Sequence, residues 1–238
     1  FHVLNHNPKK PEDSKRDRFF LSAGHVCPVW YATLAHAGYL TRTEALGTLR
    51  KLGSRLQGHP HKKALSAIEN PSGPLGQGIS QAVGYALAAK MDGKHFEVFS
   101  IMGDGEQDEG QVWEAYMFAA KNKLGNLTAI VDRNHIQIDG ITDDVMPLEP
   151  FGDKLRAFGW HVIDVDAHNM RDIIDACEAA KTLFDKPVMI IAHTIPGKGV
   201  SFMEYKYEWH GKPPNKKEAV IALKDLRTLG GKIKSENE

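Results

Sequence analysis

An aspartate between two glycines, Gly103-Asp104-Gly105, is followed thirty residues later by Asn134. A carboxylate and a side-chain amide both offer oxygen, the donor that Mg²⁺ and Ca²⁺ prefer. Glycine on each side of the acid lets backbone N–H groups approach an anion closely. Held together, these residues would seat a divalent cation against a diphosphate. Gly-Asp-Gly alone is also ordinary turn chemistry, and Asn is a common turn former. The surrounding elements therefore carry the argument.

The triad closes an apolar run, Val98 to Met102, and Asn134 follows another, Leu127 to Val131. A helical stretch from about Asp108 to Leu124 lies between them. Strand, helix, strand is the parallel crossover, and a helix of roughly sixteen residues spans about 24 Å, enough to return across a sheet. Asp104 and Asn134 then fall at the carboxyl ends of neighbouring parallel strands, where open α/β sheets bind ligands. Val112, Trp113, Tyr116, Met117 and Ala120 share one face of that helix and read as core packing.

The rest of the chain repeats the alternation. Helix 151–158 precedes strand 160–165, and helix 170–184 precedes strand 187–193. The fold class expected is α/β, a doubly wound, mainly parallel sheet with helices on both faces. Upstream are a polar lead-in over about 1–17, helices at about 24–40 and 43–52 with Thr41 or Thr43 as N-cap, and a long loop at 57–75. A small-residue helix over 76–90 places Ile79, Val83, Ala86 and Leu87 on one stripe. Past residue 194 the chain is rich in Gly, Pro and Lys, then ends in a helical, charged tail over about 214–238. One domain over 1–238 is the expectation.

Gly73-Pro74-Leu75-Gly76-Gln77-Gly78 opens the small-residue helix, whose N-terminus favours negative charge. Its spacing fits neither the Walker loop nor the dinucleotide fingerprint, so it reads equally as tight helix packing. Glu109 and Glu114 begin the crossover helix, Glu114 beside Trp113, where a charge would need a partner. Twelve histidines are many for 238 residues, and His25, His59 and His210 sit beside Gly or Pro in loops. Phe202 to Gly211 is aromatic-rich and suits a lid or an interface.

Thirty basic residues balance thirty acidic ones, which leaves no nucleic-acid or anionic-membrane footprint. The longest strongly apolar run, Val188 to Ile191, is too short to span a bilayer. Cys27 and Cys177 lie 150 residues apart and form no metal-type cluster; a reduced, cytoplasmic setting is expected.

Taken in order, the segments 16–25 (Arg-Asp-Arg-Phe-Phe-Leu-Ser-Ala-Gly-His), 58–60, 73–78, 103–105 with Asn134, and 209–213 (Trp-His-Gly-Lys-Pro) resemble the diphosphate-binding domain of transketolase, over nearly the whole chain. The resemblance implies thiamine diphosphate as cofactor. It implies Mg²⁺ or Ca²⁺ on Asp104, Asn134 and the Ile136 carbonyl. Gly105, His25 and His210 would contact the diphosphate or nearby substrate, and the backbone of Gly73, Pro74 and Leu75 would lie near the aminopyrimidine. His59 would face the donor sugar's hydroxyls, and Glu109 and Glu114 would form an acidic relay at a subunit interface. His59, His210, Glu109 and Glu114 are the implied catalytic group. The implied reaction moves a two-carbon ketol unit from a ketose phosphate to an aldose phosphate, as in the pentose phosphate pathway. Asp104→Ala is expected to abolish metal-dependent cofactor retention with the fold largely intact.

The 238 residues contain neither the family's Ser-Gly-His-Pro-Gly segment nor its aminopyrimidine-binding domain. The expectation is a split enzyme: an N-terminal subunit, inactive alone, that pairs with a C-terminal pyrimidine-binding subunit in an α2β2 assembly. Two other readings stand beside it. One is a non-catalytic copy that regulates a transketolase. The other is part of a 1-deoxyxylulose-phosphate synthase or α-keto-acid dehydrogenase, against which the Trp-His-Gly and Leu-Ser-Ala-Gly-His segments argue.

Overall fold

The computed structural model describes residues 1–228. The expected crossover is present: β2 (Val98–Gly103), a 3-10 turn at Gly105–Asp108, α4 (Gly110–Lys121) and β3 (Leu127–Arg133). β2 and β3 pair in parallel, with Gly103 opposite Asp132. β1 (Arg18–Leu21) flanks β2, β7 (Val188–His193) flanks β3, and β6 (His161–Asp166) forms the other edge. Every pairing in this five-stranded sheet is parallel. All carboxyl ends therefore share one rim.

Alternation along the strands sorts side chains to two faces. Phe20, Met102, Leu127, Ala129, Val131 and Met189 pack under α3 (Gln77–Met91), α4 and α6 (Phe151–Ala157). Phe99, Ile130, Val188 and Ile190 pack on the opposite face against α7 (Met170–Ala180) and against Val3 and Leu4 of the lead-in. Covering both faces of a parallel sheet is what its near-continuous apolar runs require.

A separate cluster joins α1 (Cys27–His36) to α2 (Arg42–Thr48) and the loop beyond, through Tyr31, Leu34, Leu56, Leu65 and Ile68. Thr41 is the N-cap of α2; its hydroxyl accepts the Glu44 N–H at 3.1 Å. Trp30 of α1 stacks on Phe19 of β1, centroids 4.6 Å apart.

Three expectations need correction. The buried stripe of α4 is Val112, Ala115, Tyr116 and Ala119, while Met117 is 56% exposed. The 3-10 turn delays the helix to Gly110, and the alanines give α4 a small face on which α3 seats. A hairpin of β4 (Ile136–Gln137) and β5 (Gly140–Ile141), then the one-turn α5 (Thr142–Val145), occupies a stretch where sequence periodicity gave no element. Glu114 is exposed and needs no partner. The C-terminal helix, α8, runs Lys216–Thr228; the remainder of the tail expected over 214–238 lies outside the described residues. Among the described residues, no helix is long and apolar enough to cross a membrane.

Candidate active site

The rim of the sheet gathers the polar residues singled out by the sequence. Asp104 follows β2 and is buried, at 1% exposure. Its Oδ2 accepts the His135 N–H at 2.7 Å, from the turn that follows β3. This bond brings the Gly-Asp-Gly turn onto the Asn134–Ile136 segment. Asn134 is oriented from both sides of its amide: Nδ2 donates to Asp132 Oδ2 at 3.1 Å, and Oδ1 accepts the Ile136 N–H at 3.0 Å. His135 adopts φ +63, a left-handed conformation that tightens this turn.

Asp132 is itself held by the Thr194 hydroxyl beyond β7, so three strands converge on the amide. Burial raises the Asp132 carboxyl above its ordinary range, with the bonds from Thr194 and Asn134 acting the other way. The oxygens brought to this corner of the rim are the Asp104 carboxylate and the Asn134 amide oxygen, with Ile136 two residues further along the chain. This is an all-oxygen set with low charge, suited to a hard cation that also takes phosphate oxygens. Among the described residues no group of three His, Cys, Asp or Glu could hold a metal; this set has a single acid and is of another kind.

Arg133, the last residue of β3, is fully buried. One guanidinium nitrogen donates to Asp104 Oδ2 at 2.9 Å; the other reaches Asp143 and Glu149, each at 3.1 Å. Burial would lower its affinity for the proton, but the acids around it, Asp104 first, raise it. No sequence signal singled out Arg133, because a single charge at a strand end reads as a solvated boundary.

Glu106 was missed as well. It sits within the 3-10 turn at 2% exposure. Oε1 accepts the Gly76 N–H at 2.6 Å and the Ser22 hydroxyl; Oε2 accepts the Gly103 N–H at 3.2 Å. Ser22 Oγ in turn accepts the Gly78 N–H at 3.1 Å. One carboxylate thus ties the end of β1, the end of β2 and the start of α3. Burial pushes its proton affinity up, and the hydrogen bonds oppose that shift. A Cβ at Gly78 would lie 2.5 Å from Ser22, which explains the glycine. The available signal was an acid two residues beyond the aspartate, opposite a helix N-terminus.

The histidines converge on the other side of this link. His25 and His210 have ring centroids 5.8 Å apart. Burial lowers the His25 proton affinity, and His210 and His59 lower it further. Gly73 lies against His59, whose ring would be 3.5 Å from an added Cβ, and it adopts φ +149, open only to glycine in practice. Beside it, Ser72 carries a buried hydroxyl without a hydrogen-bond partner among the described residues. The Leu75 carbonyl accepts from Gln111 Nε2 at 3.2 Å, and Pro74 and Leu75 are exposed on the same loop.

Glu109 occupies the N-cap position of α4, exposed, with its Cβ against Gly76. Glu114 stands apart from the histidines, on a groove of about 450 Å³ between α3 and α4 beside Ser80, Leu87 and Phe118. Beyond β7, Phe202 meets Trp209 edge-on at 5.1 Å, and Lys212 Nζ lies 4.3 Å from the Trp209 ring centre. These contacts fix the segment that carries His210.

A parallel sheet with a Gly-Asp-Gly turn and an oriented Asn on adjacent strand ends has the form of a ligand site at the carboxyl rim of an α/β sheet. The family model described as transketolase, thiamine diphosphate binding domain, matches residues 1–232, and the chain belongs to the transketolase family. It is 46% identical over 230 residues to the 6-deoxy-6-sulfo-D-fructose transketolase subunit SqwG of Clostridium sp. (strain MSTE9), covering 97% of this chain and 83% of that one. It is 41% identical over 237 residues to an apulose-4-phosphate transketolase subunit of Phocaeicola vulgatus, covering 100% and 84%. Human transketolase matches 95% of this chain at 39% identity, but the match spans only 36% of the human protein. The crystal structure of Campylobacter jejuni transketolase superposes with TM-score 0.88 at 35% identity, again over 95% of this chain and 36% of that one. The protein is a thiamine-diphosphate-dependent transferase of ketol units, corresponding to the N-terminal subunit of a transketolase made of separate chains.

Proposed function

We propose that this chain is the cofactor-anchoring half of a two-chain transketolase whose sites are completed by a C-terminal pyrimidine-binding subunit, in an α2β2 assembly. The observation that supports this reading is the bond from the His135 N–H to Asp104, which joins the Gly-Asp-Gly turn to the Asn134–Ile136 segment on the rim that also carries the His25–His210 pair. Asp104, Asn134 and the Ile136 carbonyl would hold Mg²⁺ or Ca²⁺, and the turn at Gly105 would lie against the diphosphate. When bound, thiamine diphosphate supplies the carbanion chemistry that cleaves and remakes the carbon–carbon bond.

The chain's own groups position and polarise. His25 is biased toward its neutral form by burial and by two neighbouring imidazoles, so its ring N–H can donate to a developing alkoxide and take a proton back near neutral pH. His210 works beside it. His59, packed on Gly73, faces the donor sugar's hydroxyls. Glu109 and Glu114 form the acidic relay toward the partner, for which their exposure gives access. The two relatives described above carry a sulfonated and a phosphorylated ketose in their names. Both are anionic sugars, which supports a phosphorylated ketose donor and aldose acceptor here. Two free, buried cysteines support a cytoplasmic setting.

The test is ketol transfer with thiamine diphosphate and Mg²⁺, for the chain alone and with the product of an adjacent partner gene. Turnover only in the mixture is expected. No turnover in a mixture whose two chains demonstrably bind each other would overturn the catalytic reading in favour of a regulatory copy.

A further inference from the structure

Between the segments that carry the imidazoles lies a hydroxyl with no bond to make in the resting chain. Ser72 Oγ is buried and has no hydrogen-bond partner among the described residues. The loop at 72–73 seats on Gly24, the residue before His25, where an added Cβ would lie 2.4 Å from Ser72 Oγ and 2.9 Å from the Gly73 nitrogen. The Ser72 N–H donates at 3.1 Å to the carbonyl of Pro60, the residue after His59. Gly73 lies against the His59 ring itself. Glu69, paired with Arg16, and Asn70, donating to the Leu21 carbonyl at 3.4 Å, anchor the same loop beside β1. The backbone and these neighbours fix Ser72 in place without calling on its hydroxyl.

A hydroxyl buried without a partner destabilises a fold where an alanine would not, and folded proteins keep few such groups, a functional role being one reason to keep one. Ser72 as a residue is half-buried although its oxygen is covered. A step of χ1 to another staggered well moves that oxygen off Gly24. We infer that Ser72 is a further residue of the sugar site, its hydroxyl turning off Gly24 to hydrogen-bond one hydroxyl of the ketose donor between His25 and His59. A sugar hydroxyl is donor and acceptor at once, and so is that of serine. The backbone expected near the aminopyrimidine begins one residue on, at Gly73, which leaves Ser72 on the His59 side. The resting chain bears the unpaired hydroxyl, and the sugar relieves it. This inference rests on the ketol-transfer reading above, in which His59 faces the donor.

The experiment compares wild type with Ser72→Ala in the two-chain enzyme, using the donor ketose and a set of analogues that each lack one hydroxyl. For the parent ketose, kcat/KM is expected to fall about fivefold in the variant, the scale of one hydrogen bond. One analogue should lose the same factor in wild type and nothing further in Ser72→Ala, because both changes delete the same bond. Calorimetry should find thiamine diphosphate affinity unchanged. The variant chain alone should unfold about 2–6 °C higher, having lost an unpaired buried hydroxyl. Analogue penalties that are the same in both proteins would overturn the proposal. A loss confined to cofactor affinity would overturn it by placing Ser72 on the cofactor side. Full kcat/KM in a variant that unfolds at higher temperature would overturn it by leaving the hydroxyl no substrate. An unfolding temperature that is unchanged or lower would show the hydroxyl already bonded at rest, and would overturn it too. A wild-type mixture with no ketol transfer at all would overturn the ketol-transfer reading itself, and this proposal with it, before any variant is made.

Discussion

Glu97 lies at the end of the sheet remote from the site, just before β2, and its removal should alter how stability depends on pH. Its backbone N–H donates to Asp17 Oδ1 at 2.9 Å, which sets two carboxylates side by side under the lead-in. Its Oε2 is buried and accepts no hydrogen bond among the described residues. Burial, then the Asp17 charge, pushes the carboxyl from an ordinary 4.5 up to about 7, with Lys181 opposing. At about 1.4 kcal/mol per tenfold change in proton affinity, the ceiling is about 3 kcal/mol. The side chain is only half-buried, and screening reduces this to about 1–2 kcal/mol. Because the folded value is raised, this stability is full below about 4.5 and is lost as pH rises through about 7. Glu97→Gln cannot ionise and keeps it. Thermal unfolding of both proteins from pH 5 to 8.5 should show the variant gaining about 3–6 °C relative to wild type across that range. Differencing removes the histidines, which titrate alike in both. Parallel curves would refute the reasoning.

Asp104→Ala should abolish cation-dependent cofactor binding. It should also lower stability by about 2–4 kcal/mol, because Arg133 would keep a buried charge with only its outer partners; calorimetric unfolding without cofactor checks this against the intact fold expected from sequence. Glu106→Gln should cost about 1–2 kcal/mol, since an amide turned toward the Gly103 N–H opposes donor to donor, and chemical denaturation measures it. His59→Ala should reduce turnover about 100-fold and leave cofactor affinity within about threefold, as steady-state kinetics and calorimetry would together show. Equal losses in both would move His59 to the cofactor side.

The sheet was legible because it follows from short-range pattern, and the same pattern put Asp104 and Asn134 on neighbouring strand ends; the Ile136 carbonyl was named only through the family resemblance. Apolar runs ending in Gly103 and before Asn134, with a helix-length stretch between, admit little besides a parallel crossover. The histidine loops were legible through the matching motifs, not through periodicity. Arg133 and Glu106 were not legible, since each has a defining partner far along the chain: Asp104, 29 residues from Arg133, and Gly76 and Ser22, 30 and 84 residues from Glu106. The β4–β5 hairpin has strands of two residues each, too short to generate a period. Met117 was misplaced because α4 turns its small alanines, Ala115 and Ala119, inward, a choice of face that hydrophobic spacing does not encode.

The hydrophobic clusters divide the labour of evolution. Asp104 and Asn134 are mounted on strands whose side chains interlock with helices on both faces. His59 rides instead on the small α1–α2 cluster, joined to the sheet by Trp30 on Phe19 and by the Arg16–Glu69 ion pair. With His59 in the role proposed above, substitutions inside that small cluster would act first on the sugar end of the site, and the strand ends carrying Asp104 and Asn134 would keep their packing. A lineage could thus exchange one ketose for another while inheriting its cofactor anchor unchanged.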